Sequence, residues 1–312
     1  MSITLKLHLK DLKQQHENYK ADYELLEEYF STKEFTGCFP KTLIDQLKSY
    51  HKGQDEIDLL VETLKPLVCI GSCYALCKPS QFPVGGCCYC KESGNAYIGF
   101  NMESAGHWIG YSVHGEQCTT NNALIHGEKK IDLLVISYTP CGHCRQYLNQ
   151  FANRDEFLCH IVTLNRTFHL RELLPFDFRP SDLPSITFPD TSKFVIKSKV
   201  GDDVDMKFIN QVIDCAKESH VDNLMCYLGV GLIIGKEIYL GNYIESCAHN
   251  PSFHPMNGAI SQLTLNGKDV RDVDSIILVQ YENSPFKMEE TAIGIIKGYG
   301  YTHSKVTTIT IG

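Results

Sequence analysis

The chain has 312 residues with 37 acidic against 29 basic side chains, a formal net charge of −8, and 43% hydrophobic and 21% charged content. This describes a globular chain long enough for two domains and weighs against a polynucleotide ligand, which calls for a basic surface. No apolar run approaches a membrane span and residues 1–8 lack the apolar core of a secretion signal, so the fourteen cysteines read as thiols, not as a disulfide framework.

In chain order, residues 1–50 read as helical. Leu25, Leu26, Tyr29 and Phe30, then Leu43, Ile44 and Leu47, supply the apolar periodicity. Gly37-Cys38-Phe39-Pro40 breaks it. A further helix is expected over residues 57–67. Strands are expected over residues 82–90 and 96–100, joined by the hairpin-type linker Lys91-Glu92-Ser93-Gly94-Asn95. Cys73, Cys77, Cys87, Cys88 and Cys90 lack a histidine or second C-x-x-C pair at a zinc spacing. They read as buried thiols, cysteine in a strand being a small hydrophobe.

A helix after His114, a buried β-branched strand over residues 131–138 and a helix after Thr139-Pro140 complete a first series. This alternation argues for helices packed on a mixed sheet. Pro175, Pro180, Pro184 and Pro189 punctuate a connector, and a second helix–strand–strand–helix–strand series begins near Asp203.

The second series repeats the first. Tyr97, Gly99, Glu103 and Ser104 recur as Tyr239, Gly241, Glu245 and Ser246 at a constant offset of 142 (239 less 97), inside the same order of elements. Where His114 and Glu116 would recur the chain reads Pro255-Met256-Asn257, and where Cys141 and Cys144 would recur it reads Asn283-Ser284-Pro285-Phe286. The second copy is therefore expected to be a scaffold or assembly surface without metal.

In the first copy, Val113-His114-Gly115-Glu116-Gln117 and Thr139-Pro140-Cys141-Gly142-His143-Cys144-Arg145-Gln146 bring the His114 imidazole, the Glu116 carboxylate and two thiols within a short span. Cys141 and Cys144, three apart, share a helix face at a helix start, where the backbone dipole favours thiolate. A structural zinc site closes all four positions with protein ligands, whereas one histidine and two cysteines leave the fourth to water. Glu116 points away from His114 on a helix and reads as the acid–base group beside that water, not as a ligand. Taken singly, Phe82 reads as core, Asn101 and Glu103 as an exposed turn pair, and His143 as a surface residue. Arg145 reads as solvated or as a donor to a thiolate.

H-x-E followed by P-C-x-x-C is the signature of zinc-dependent deaminases of nucleobases, and with these residues the chain resembles the cytidine deaminase family, in particular its two-domain homodimeric class. The likeness is strongest over residues 82–151. It implies an α/β fold, a three-layer α/β/α sandwich with a mixed sheet, duplicated as a catalytic and a degenerate domain behind a short helical N-terminal segment. The domain limits expected are 1–50, 51–185 and 186–312. By resemblance, His114, Cys141 and Cys144 hold one Zn2+ per chain and Glu116 shuttles protons. Asn101 and Glu103 bind ribose hydroxyls, and Phe82 stacks on the pyrimidine. The backbone at Gly115 and Thr139 meets the base, and Phe178 closes the pocket. The family's alanine in H-A-E is here Gly115, and the aromatic that often follows N-M-E is here Ser104. The activity implied is hydrolytic deamination of cytidine and deoxycytidine in pyrimidine salvage by a cytoplasmic homodimer, with a nucleoside as ligand and neither nucleic acid nor membrane as partner. Deamination of a cytosine nucleotide, or a catalytically silent binding module, are the alternatives.

Overall fold

The computed structural model describes residues 3–151, 155–200, 204–302 and 305–312. They form two compact units: residues 1–103, 113–176 and 265–267, and residues 104–112, 177–264 and 268–312.

The first unit opens with α1 (Ile3–Gln15) and α2 (Lys20–Phe30). Leu5, Leu9 and Leu12 of α1, spaced by four and three, and Tyr23, Leu26 and Phe30 of α2 are buried. Next come β1 (Cys38–Phe39), α3 (Lys41–Lys48) and α4 (Glu56–Cys73). Asp55 caps α4, its carboxylate accepting the Asp58 amide at 2.8 Å. Then follow β2 (Gly85–Tyr89), β3 (Ala96–Phe100), α5 (Gly115–Ile125), β4 (Leu133–Ile136), α6 (Gly142–Leu148), β5 (Leu158–Ile161), β6 (Arg166–His169) and α7 (Leu170–Leu173). The sheet runs β1-β3-β2-β4-β5-β6, with β4 and β5 parallel and the other pairs antiparallel.

Two departures from expectation stand out. The break at residues 37–40 contains β1, which pairs Cys38 with Tyr97 and Phe39 with Ala96. Phe39 packs against Phe30 and Phe35, and this aromatic contact holds a strand too short to show periodicity. Helix α4 runs past residue 67 to Cys73 and carries Pro66 inside it. The buried positions Leu60, Val61, Leu64, Leu67 and Val68 continue through the proline, so burial outweighs the lost backbone bond.

Glycines in the central strands show how the layers stack. A Cβ on Gly85 would meet Val68 and Ser72 of α4, whereas one on Gly86 would meet Thr119 of α5. Successive strand residues face opposite sides, so α4 and α5 cover opposite faces of the sheet. Gly99, paired with Gly86, presses against the Thr119 backbone. This is the three-layer α/β/α sandwich expected.

The second unit contains α8 (Met206–Lys217), β7 (Leu228–Ile234), β8 (Glu237–Asn242), α9 (Pro255–Leu265), β9 (Ser275–Tyr281), α10 (Glu289–Lys297) and β10 (Val306–Ile311). Its sheet runs β10-β9-β7-β8, with β10 and β9 parallel. Asp203, where this series was expected to begin, lies outside the described residues. Gly229 faces Val212 and Ala216 of α8 while Gly241 faces Pro255 and Ala259 of α9. The register of the first unit is thus repeated, with Gly241 in the place of Gly99.

The bridges beyond the sheets repeat as well. Met102 bridges Leu76 and Val113, and Ile244 bridges His220 and Phe253. Phe253 therefore matches Val113, and His254 matches His114. This corrects the expected counterpart by one residue: the imidazole persists in the second copy, and only the carboxylate and thiols are replaced. Nine residues (104–112) separate Glu103 from Val113, but seven (246–252) separate Glu245 from Phe253. The offset therefore falls from 142 at Glu245 to 140 at His254. No cysteine among the described residues forms a disulfide; of the five expected to be buried, Cys87, Cys88 and Cys90 are, whereas Cys73 and Cys77 are only partly covered. Among the described residues no helix is long and apolar enough to cross a membrane.

Candidate active site

Two helix starts build the site. His114 is the N-cap of α5, in extended backbone with ψ 159°, and its amide donates to Gln117 Oε1 at 3.2 Å. Cys141 is the N-cap of α6 with ψ 167°, and its carbonyl accepts the Arg145 amide at 3.0 Å. The strand before α6 is fixed to β2, since Ser137 Oγ accepts the Gly85 amide (3.0 Å) and donates to the Gly85 carbonyl (2.9 Å).

The two caps converge. His114 Nδ1 lies 3.4 Å from Cys141 Sγ and 3.3 Å from Cys144 Sγ, and the three donor atoms all fall within 4.8 Å of one another. One imidazole nitrogen and two sulfurs at this spacing fit a zinc ion with a position left over. His143, whose ring centroid is 5.9 Å from that of His114, supplies none of the three donor atoms.

The electrostatics suit a metal. Hydrogen bonds from the Cys144 thiol and then from His114 lower the Cys141 thiol well below its ordinary range and favour its thiolate form. The Cys141 hydrogen bond in turn raises His114. Glu116, second residue of α5, is only 4% exposed, and burial pushes its carboxyl above the ordinary range. It hydrogen-bonds with Cys144, which sets it against the cluster.

Contacts unforeseen from the sequence hold the two helices in place. The hydroxyls of Thr120 on α5 and Tyr147 on α6 meet at 3.1 Å, both buried. Arg145 does not point to a thiolate. Its Nε donates to the Pro140 carbonyl (2.9 Å) and an Nη to the Leu173 carbonyl (2.8 Å), tying the cysteine loop to α7.

Beside the cluster, Asn101 is buried with both amide atoms on one segment. Its Oδ1 accepts the Val84 amide (2.9 Å) and its Nδ2 donates to the Phe82 carbonyl (2.9 Å). Glu103 accepts from the Ser80 amide (2.9 Å) and hydroxyl (2.5 Å). The half-exposed Phe82 ring packs on Tyr138 at 4.5 Å between centroids. Ser80 and Tyr138 were not singled out from the sequence; Tyr138 immediately precedes Thr139, and Ser80 stands two residues before Phe82. Thr139 is exposed. Gly115 leaves no room for a side chain without a shift, since a Cβ would stand 2.9 Å from Val84 Cγ1. Ser104 is buried with Gly298 against its side chain, in the second unit. Phe178 also belongs to that unit, where its carbonyl accepts the Cys247 thiol at 3.4 Å. The other nine expected site residues all lie in the first unit.

Comparison with known proteins gives a consistent result. The profile described as the cytidine and deoxycytidylate deaminase zinc-binding region matches residues 67–160, and a second profile of the same description matches residues 170–293. A cytidine deaminase of Photorhabdus laumondii is 32% identical over 268 residues, 84% of this chain and 87% of its own length. One from Vibrio cholerae is 32% identical over 259 residues, 82% of this chain and 83% of its own. Among solved structures, the cytidine deaminase of Mycobacterium tuberculosis aligns with 35% of this chain and 88% of its own at 24% identity, with a TM-score of 0.31.

Proposed function

The chain belongs to the cytidine deaminase family, and from that premise we propose that it catalyses zinc-dependent hydrolytic deamination of cytidine and deoxycytidine to uridine and deoxyuridine, releasing ammonia. The observation that carries this reading is the cluster of His114 Nδ1 with the sulfurs of Cys141 and Cys144, with Glu116 buried against it. A zinc ion held by those three residues supplies a water acidic enough to act as nucleophile near neutral pH.

The protein's own groups do the rest. Replacing the amino group at C4 by oxygen forms one C–O bond and breaks one C–N bond. A proton must leave the water, and protons must reach ring N3 and the departing nitrogen. A carboxyl raised by burial can accept the first and deliver it onward, as base and then acid. Glu116 has that environment. Asn101 and Glu103 read the sugar, the Phe82 ring stacks on the base, and the backbone at Gly115 and Thr139 meets its polar edge. Phe178 is assigned to pocket closure on resemblance.

In this reading residues 51–185 form the catalytic domain, residues 1–50 a helical lead, and residues 186–312 a non-catalytic copy holding no metal. Asn283 and Phe286 in place of the two thiols support one zinc per chain. A role in pyrimidine salvage, a homodimeric assembly and a cytoplasmic location complete the reading, with the family resemblance as their support.

The test is substrate range. Cytidine and deoxycytidine are expected to be converted and cytidine monophosphate to be poor, in line with the net charge of −8. Turnover of the monophosphate with none of the nucleoside would overturn the reading in favour of a nucleotide deaminase.

A further inference from the structure

Phe82 sits on an exposed turn between α4 and β2, a position that does not by itself fix a ring for stacking. Gln81 before it has φ +56°, the left-handed region that non-glycine residues seldom adopt. Both polar backbone groups of Phe82 are nonetheless held. Its carbonyl accepts from Asn101 Nδ2 at 2.9 Å, and its amide donates to Ser80 Oγ at 3.1 Å. Ser80 Oγ in turn donates to Glu103 Oε1 at 2.5 Å while the Ser80 amide donates to Glu103 Oε2 at 2.9 Å. An unbroken chain of hydrogen bonds thus runs from the Glu103 carboxylate through the Ser80 hydroxyl to the Phe82 backbone. The ring then lies on Tyr138.

We infer that Ser80 is a positioning residue that couples sugar recognition at Glu103 to the placement of the Phe82 ring. A carboxylate oxygen accepts more than one hydrogen bond, so Ser80 leaves Glu103 able to take a substrate hydroxyl while fixing where the carboxylate stands. The hydroxyl uses its proton on Glu103 and a lone pair on the Phe82 amide, and alanine can do neither. The inference rests on the proposed function, because it gives Ser80 a part in that reaction.

The experiment measures Ser80→Ala and Ser80→Thr in the full-length zinc-loaded protein, with 2′-deoxycytidine and 2′,3′-dideoxycytidine as substrates, alone and on a Glu103→Ala background. The alanine variant is expected to keep its zinc and to keep kcat within about threefold, while KM for deoxycytidine rises about tenfold, the effect of one hydrogen bond to a charged group. Its preference for deoxycytidine over the dideoxy compound should narrow by a similar factor. Threonine, which keeps the hydroxyl, should restore both. On the Glu103→Ala background the alanine change should have little further effect, since coupled residues are not additive. Equal cost of Ser80→Ala on both backgrounds, an unchanged KM, a threonine variant as impaired as alanine, or loss of zinc would each overturn the inference. If the wild type turns over neither nucleoside, the proposed function fails and the role of Ser80 falls with it; an active wild type with an unaffected alanine variant refutes the Ser80 role alone.

Discussion

His114 Nδ1 and Cys144 Sγ stand 3.3 Å apart although thirty residues separate them in sequence. The contact exists because β4 delivers the chain to the start of α6 beside the start of α5, so that two helix N-termini, with their inward-pointing amides, surround two thiols and a carboxyl. The helix start adds to the hydrogen bonds from Cys144 and His114 that lower the Cys141 thiol.

Glu116 is the group whose removal should separate metal binding from chemistry. It is buried against the cluster, but the three donors that can hold a metal are His114, Cys141 and Cys144. Glu116→Ala should retain zinc by metal analysis and lose about 10²–10⁴-fold in kcat, the range for a positioned acid–base group. Substantial residual turnover would remove it from that role.

The Thr120–Tyr147 contact joins the helix bearing His114 to the helix bearing Cys144. Tyr147→Phe removes one hydroxyl and little volume from the core, and should cost about 1 kcal/mol in urea unfolding. Zinc should pass to a competing chelator several-fold faster than from the wild type. An unchanged release rate would show that the two helices hold their spacing without this bond.

Substitution of two glycines should have opposite effects. A Cβ on Gly99 would stand 2.2 Å from the Thr119 amide nitrogen, a backbone atom, whereas one on Gly142 meets nothing within 4 Å. Gly99→Ala should cost about 1–3 kcal/mol or more through overpacking between β3 and α5. Gly142→Ala, in a helix, should be neutral or stabilise by up to about 1 kcal/mol. Thermal melts of the two variants make the comparison.

The retained histidine of the second copy should make stability fall in acid. Burial lowers His254 from 6.5 to about 4, with the Met288 carbonyl opposing only in part. Because the folded value is depressed, the unfolded chain takes up the proton first. Its contribution is complete above about pH 6.5 and is lost as pH falls toward 4, by at most about 3 kcal/mol. His254→Gln should lose less melting temperature between pH 7 and pH 5 than the wild type does. Zinc release affects both proteins and cancels in the difference, so parallel curves would contradict this.

What could be read from the sequence depended on residue chemistry at short range. Thiols, imidazole and carboxylate at His114, Glu116, Cys141 and Cys144 are distinctive groups whose gathering could be expected from their spacing, and the hairpin of β2 and β3 is marked by Gly94-Asn95 between apolar runs. β6, reading Arg166-Thr167-Phe168-His169, has no apolar alternation and forms through pairing with β5. The place of His254 was hidden by a connection two residues shorter than in the first unit. The part played by Ser80 was invisible because a serine hydroxyl near a turn usually serves its own backbone, and only the fold brings Glu103 to it.

The most direct test is the loss of ultraviolet absorbance when the purified full-length protein is mixed with cytidine, with zinc measured on the same sample. Turnover with about one zinc per chain, abolished by a chelator and restored by zinc, is the predicted result. Bound zinc with no conversion of cytidine or deoxycytidine would contradict the assignment.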